Sequence, residues 1–225
     1  MMPPRLTVVG DLERPDHSHL PEDAVCYFWG EYTPRRHIDG PAWNYSPTNQ
    51  LVSNFKKKMD RRQQPDWRYK LAAIQEIAVA FAGFWDWQAL HQQGVALIPV
   101  PPSKARNDPL YDPRMLQMLN ALQARTGLPL DVRDCLSFSG IYGASHENEE
   151  RPTPAQLYAA LSFDAVAGRV NSPPSAILLF DDMLTTGAHF VAASRKLREV
   201  FPGVEIVGQF VARRRIPDPF AETAT

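Results

Sequence analysis

A chain of 225 residues with 44% hydrophobic and 22% charged content can bury a sizeable core as one α/β domain with an elaboration. Its net charge of −1 gives no global attraction to nucleic acid or to an anionic membrane, so any basic surface must be local. Two cysteines, Cys26 and Cys135, are too few for a disulfide framework and lack zinc-site spacing; no run reaches the ~20 apolar residues that cross a bilayer, and Met-Met-Pro-Pro-Arg has no hydrophobic signal core, so a reducing, cytoplasmic location is expected.

Residues 1–66 read as an N-terminal elaboration rich in Pro, charge and aromatics, with short apolar pieces at 6–9 and 25–29. Trp29, Tyr32, Trp43 and Tyr45 are dispersed among Gly and Pro and read as packing residues rather than a stacking platform. His17 and His19 have no third ligand in view and are assigned to a solvated loop. A helical pattern begins near Asn49, runs through Leu51, Val52 and Phe55, and meets Lys56, Lys57, Lys58, Arg61 and Arg62. That basic run reads as a solvated helix face, with a nucleic-acid or phosphate contact as its alternative. A second helix is predicted over 69–90, with Ile74, Ile77, Ala78, Phe81 and Trp85 on one stripe.

Residues 67–225 read as an α/β core, with strand and helix alternating regularly from Val95. An apolar strand at 95–100 leads into a basic loop holding Lys104 and Arg106, then a helix with Met115, Met118, Leu119 and Leu122 on one face. The two cations are candidates for an anionic group such as pyrophosphate, or are simply solvated. A strand is predicted over 130–138, followed by a long acidic stretch without periodicity, of the kind that serves as a lid or binding loop. The last strand, 204–211, runs into Arg213, Arg214 and Arg215.

Residues 177–189 carry the most information. Ile177 to Phe180 read as a buried strand, Asp181 and Asp182 lie at its carboxyl end, and Thr185-Thr186-Gly187-Ala188-His189 form a small-residue turn. Phe190, Ala193, Leu197, Val200 and Phe201 continue as one apolar helical face, so the turn opens a helix. Unpaired backbone N–H groups at a helix start favour a phosphate, and Gly187 allows close approach. The carboxylates suit ribose hydroxyls, or Mg²⁺ reached through water. The ligand expected here combines a phosphate, a sugar diol and a divalent ion.

Residues 177–189 resemble the signature of the type I phosphoribosyltransferases, which use 5-phosphoribosyl diphosphate (PRPP): an apolar strand, two acidic residues, two aliphatics, then Thr-Thr-Gly-Ala-Thr or a variant. His189 departs, standing where the family has Thr or Ser. Ile98-Pro99-Val100-Pro101 and the Arg-Pro-Thr-Pro-Ala-Gln-Leu of 151–157 are similar to stretches of the ComF-like, competence-associated group, whose N-terminal zinc ribbon this chain lacks. The similarity spans roughly residues 95–212.

The resemblance implies an open, mostly parallel sheet flanked by helices, with residues 1–66 as a variable hood. It implies that Asp181 and Asp182 hold the ribose and, indirectly, Mg²⁺; that Thr185, Thr186, Gly187, Ala188 and His189 anchor the 5-phosphate; that Lys104 and Arg106 receive pyrophosphate; and that Ser145, His146 and Arg151 belong to a mobile lid. Arg213 to Arg215 would help hold the acceptor or pyrophosphate, with a solvated cluster as the alternative. The activity implied is transfer of ribose 5-phosphate to an unidentified, nitrogenous small-molecule acceptor, and a homodimer is compatible with it. Thr185 stands where purine-salvage members have an aspartate, and a threonine is no general base near neutral pH, which disfavours a purine acceptor. Two alternatives remain: a non-catalytic PRPP- or nucleotide-sensing regulator, with Lys56 to Arg62 touching nucleic acid, and an accessory protein in DNA uptake or processing.

Overall fold

The computed structural model describes residues 2–139 and 152–217. Eight strands occur in chain order: β1 Thr7–Val8, β2 Cys26–Tyr32, β3 Ala96–Pro99, β4 Asp131–Val132, β5 Leu136–Phe138, β6 Leu161–Phe163, β7 Ala176–Leu184 and β8 Glu205–Arg214. The α-helices are α1 Pro47–Phe55, α2 Trp67–Ala82, α3 Trp87–Gln92, α4 Arg114–Thr126, α5 Pro154–Ala160 and α6 Ala188–Val200. Six strands form one sheet in the order β1-β2-β8-β7-β3-β4, parallel except for β1, and β5 with β6 form a separate antiparallel pair. Among the described residues no helix is long and apolar enough to cross a membrane.

Helices cover both faces of the sheet, so its central strand is apolar throughout. Ile177, Leu178, Leu179 and Phe180 are all buried, as parallel strands packed on two sides require. Phe55, Ile77, Phe81, Met118, Leu122 and Phe180 cluster on the side of α1, α2 and α4. Ile98, Leu136, Leu179, Phe190, Leu197 and Phe210 cluster on the side of α6 and the small β5–β6 sheet. The predicted apolar faces of α4 and α6 are both the faces that the structure buries.

Local chemistry sets the ends of the helices. Ser46 caps α1, its hydroxyl accepting from the Asn49 N–H at 3.1 Å, with Pro47 at the first helical position. Thr153 and Gln156 form a reciprocal capping box at α5, which gives the Thr-x-x-Gln spacing of 153–156 a structural reason.

Several sequence expectations are corrected. The helix expected over 69–90 is two helices, because the chain turns after Gly83 and Asp86 restarts it by capping α3, its carboxylate accepting from the Ala89 N–H at 3.0 Å. The strand expected over 130–138 is likewise two, β4 on the main sheet and β5 off it; the chain leaves β3 at Arg133, whose guanidinium binds Asp131 and the carbonyls of Gly168 and Ser172. Trp29 packs in the core, but Trp43 and Tyr45 are exposed. His17 is buried. The first 66 residues supply β1 and β2 to the main sheet, β2 lying parallel beside β8.

Arg213 is also buried rather than part of a solvated cluster. It donates to Asp16 at 3.0 Å and to Glu31, while Arg214 donates to the Asp16 carbonyl at 2.6 Å and Arg215 to Glu31 at 3.1 Å. Arg213 and Arg214 fasten Asp16 to the end of β8, and Arg213 and Arg215 hold Glu31 of β2.

Candidate functional site

From β3 the chain passes through α4 to β4, outward on one side; from β7 it passes through α6 to β8, outward on the other. The order of the sheet therefore reverses between β3 and β7, and open α/β sheets bind ligands outside the carboxyl ends of strands at such a point. A cleft of about 30 Å³ lies there, lined among others by Pro99, Val100, Asp112, Arg114, Asp181 and Asp182. Space of that size admits about one water, because side chains of opposite charge fill the remainder.

Asp181 and Asp182 sit within β7 rather than beyond it, since the strand continues to Leu184 and pairs with β8 on both sides of Asp182. Their environments differ. Asp182 is buried, with Oδ1 on the Lys56 Nζ at 2.8 Å and Oδ2 on the Arg114 Nε at 2.8 Å and on the Arg114 Nη2. Burial alone would raise its pKa, but the Arg114 and Lys56 charges prevail and hold it well below the ordinary carboxylate range. Among the described residues the Asp181 carboxylate accepts only the Asp182 N–H, at 2.7 Å. Burial, then the neighbouring Asp182 charge, pushes it up to about 7.

A second layer holds the cations. Arg114 also donates to Asp112 at 2.7 Å, and Asp112 accepts from the fully buried Lys70 at 2.8 Å. Lys70 further donates to the carbonyls of Phe55 and Lys57, tying off the end of α1 from which Lys56 projects. Burial lowers the Lys70 pKa and Asp112 opposes the shift. For Arg114 burial also disfavours charge, but Asp182 and Asp112 outweigh it and the guanidinium stays protonated.

The turn after β7 is fixed by contacts with residues 17–20. Gly187 precedes α6 with φ +86°, and a Cβ there would stand 3.1 Å from the Leu20 nitrogen and 3.2 Å from its Cβ. His17 Nδ1 lies 2.5 Å from the Thr185 carbonyl oxygen, and the His19 N–H donates to the Thr186 carbonyl at 2.8 Å. Across a trans peptide the C=O and the next N–H point in opposite directions, and no peptide here is cis. With those carbonyls turned toward residues 17–20, the amides of Thr186 and Gly187 face the opposite way. His189 packs edge-on to Phe138, ring centres 6.1 Å apart.

The structure thus brings Asp181 and Asp182 together with the turn 185–189. It does not bring Lys104 or Arg106 into the cleft. Lys104 pairs with Asp108 at 2.9 Å, and Arg106 with Asp134 at 2.5 Å and with the carbonyls of Asp134 and Leu136. Ser145, His146 and Arg151 lie outside the described residues. Lys56, Arg114, Lys70 and His17 were not singled out by the motif, although Lys56 stood in the basic run that the sequence displays. Both cysteine thiols are buried and pushed up to about 12, which removes them as nucleophiles.

Comparison with protein-family models finds no family that matches this chain, and comparison with curated proteins finds no relative.

Proposed function

We propose that this chain is a phosphoribosyltransferase of type I architecture, which binds Mg-PRPP and transfers ribose 5-phosphate to a nitrogenous acceptor with release of pyrophosphate. One observation carries the reading: a carboxylate pair at the sheet's topological switch point is followed, within the same connection, by a helix-opening turn whose amides are aimed by a fixed backbone. A sugar diol and a phosphate separated by one pentose require that pairing of groups.

The donor set fits Mg²⁺. Among the described residues no group of three or more His, Cys, Asp or Glu side chains is placed to hold a metal. Mg²⁺ characteristically takes one or two carboxylates and fills its remaining positions with water and substrate phosphates, and Asp181, a carboxylate with no cation on it, is the available donor. When bound, the ion neutralises charge on the departing diphosphate.

Displacement at the anomeric carbon breaks its bond to the diphosphate oxygen and forms one to the acceptor nitrogen, through a transition state in which the sugar carries oxocarbenium character. Asp181 and Asp182 orient the ribose hydroxyls. The amides of Thr186 and Gly187 hold the 5-phosphate, so the reacting carbon is fixed between two anchors.

The test is isothermal titration of PRPP with Mg²⁺ into wild type and Asp181→Asn, then pyrophosphate release over a panel of bases and amines. Binding lost in the variant, with acceptor-dependent release by wild type, supports the transferase. Binding without release assigns a sensor, and no binding by folded wild type removes both.

A further inference from the structure

We propose that Lys56 and Arg114 form the receptor for the diphosphate of the substrate and are stored on Asp182 when no ligand is bound. The inference rests on the phosphoribosyl reading and assigns the charge partners of the diphosphate to residues other than Lys104 and Arg106, although Pro101 and Pro102 of their loop line the same cleft.

Both cations reach one buried carboxylate from separate helices, Lys56 from the end of α1 and Arg114 from the first residue of α4. Asp182 needs one positive charge for neutrality and has two. Arg114 is already matched by Asp112, which Lys70 also serves, so the cluster of Asp112 and Asp182 with Lys56, Lys70 and Arg114 carries one cation in excess. The excess falls on Lys56, the partly exposed member of the cluster, so it is open to an incoming anion. Asp181 borders the cluster and is the nearest candidate, yet neither cation touches it.

Release from Asp182 leaves the two side chains differently prepared. Lys56 has its side chain 41% exposed and is free to swing. Arg114 stays oriented by Asp112 at 2.7 Å, so its guanidinium turns toward the cleft without losing its anchor. When ribose hydroxyls or the ion claim Asp182, both cations exchange a carboxylate for phosphate oxygens, and charge pairing is conserved through binding. Neither Lys104 nor Arg106 lines the cleft: Lys104 is held by Asp108 outside it, and Arg106 is held at its edge by Asp134 and by the carbonyls of Asp134 and Leu136.

The probe is inorganic pyrophosphate with Mg²⁺, titrated into wild type, Lys56→Gln, Arg114→Lys and Arg106→Gln, with ribose 5-phosphate as the parallel ligand. Pyrophosphate binding is expected to weaken about tenfold or more in Lys56→Gln and Arg114→Lys, and less than about twofold in Arg106→Gln. Ribose 5-phosphate affinity is expected not to fall in Lys56→Gln, which frees Asp182 Oδ1 and whose partly exposed side chain makes folding failure the least concern. Pyrophosphate affinity retained in Lys56→Gln and Arg114→Lys, or lost in Arg106→Gln alone, overturns the assignment. Wild type that binds ribose 5-phosphate but no pyrophosphate overturns it while leaving the phosphosugar reading standing; wild type that binds neither removes both.

Discussion

His17 Nδ1 stands 2.5 Å from the carbonyl oxygen of Thr185, a contact across 168 residues of sequence that links the N-terminal segment to the turn opening α6. A carbonyl only accepts, so Nδ1 carries the proton and the ring is the Nδ1–H tautomer. Burial lowers the His17 pKa, with the Thr185 hydrogen bond opposing and the Arg213 and Arg214 charges adding to the shift. The unfolded chain therefore takes a proton more readily than the folded one, and His17 costs stability as pH falls through the ordinary imidazole value of 6.5. Thermal melts of wild type and His17→Gln at pH 7.5 and 5.5 should show any wild-type advantage shrinking at the lower pH. A constant difference would mean that the imidazole is not sequestered.

Gly187 is fixed by two independent constraints, a φ of +86° and the closeness of Leu20. Gly187→Ala is expected to lose roughly 1–3 kcal/mol in urea denaturation, the backbone strain and the contact adding. In a Leu20→Ala background the contact is relieved and the strain is not, so the loss should fall without vanishing. Equal losses in both backgrounds would show that residues 17–20 do not bear on the turn.

Much of the fold is legible in the sequence because its signals are local. The stripe of Met115, Met118, Leu119 and Leu122 and the apolar run Ile177 to Phe180 report burial directly, and both are buried. The helical period of 69–90 runs on through Trp85, across a turn that Gly83 and Asp86 create, so periodicity alone joins two helices into one. His17 reads as solvated because its neighbours in sequence are polar, whereas its partner, Thr185, and the arginines that hold the adjacent Asp16 come from the other end of the chain. The site divides in the same way. Asp181, Asp182 and the turn fall in one contiguous motif, but Lys56 and Arg114 lie 126 and 68 residues from Asp182 and meet it only through packing.

Lys70 is the buried support of this charge cluster. Lys70→Met removes the donor from Asp112 and from the carbonyls of Phe55 and Lys57, and is expected to cost roughly 2–4 kcal/mol of unfolding free energy. Asp112→Leu in the same chain relieves part of the unpaired charge, so the double variant should lose less than the sum of the two single losses. Lys56→Gln, at a partly exposed pair, should stay within about 1 kcal/mol of wild type. Urea midpoints at constant slope separate these outcomes.

Asp181 gives a pH dependence of the opposite sign to that of His17. Its folded pKa is raised from 3.8 to about 7, so the folded chain keeps a proton that the unfolded chain releases across that interval. Its stabilising contribution is full below 3.8 and is lost as pH rises through about 7. Asp182 acts in the other direction, its contribution being present above the ordinary carboxylate value and lost as pH falls below it. Asp181→Asn keeps the shape of the side chain and abolishes the titration. Urea midpoints of the two proteins, measured without divalent ions from pH 4 to pH 8, should show wild type losing ground to the variant as pH rises toward 7 and the gap then levelling off. A gap that stays constant across the range would mean that the Asp181 carboxylate is solvated, and it would no longer be the donor best suited to an ion at this site.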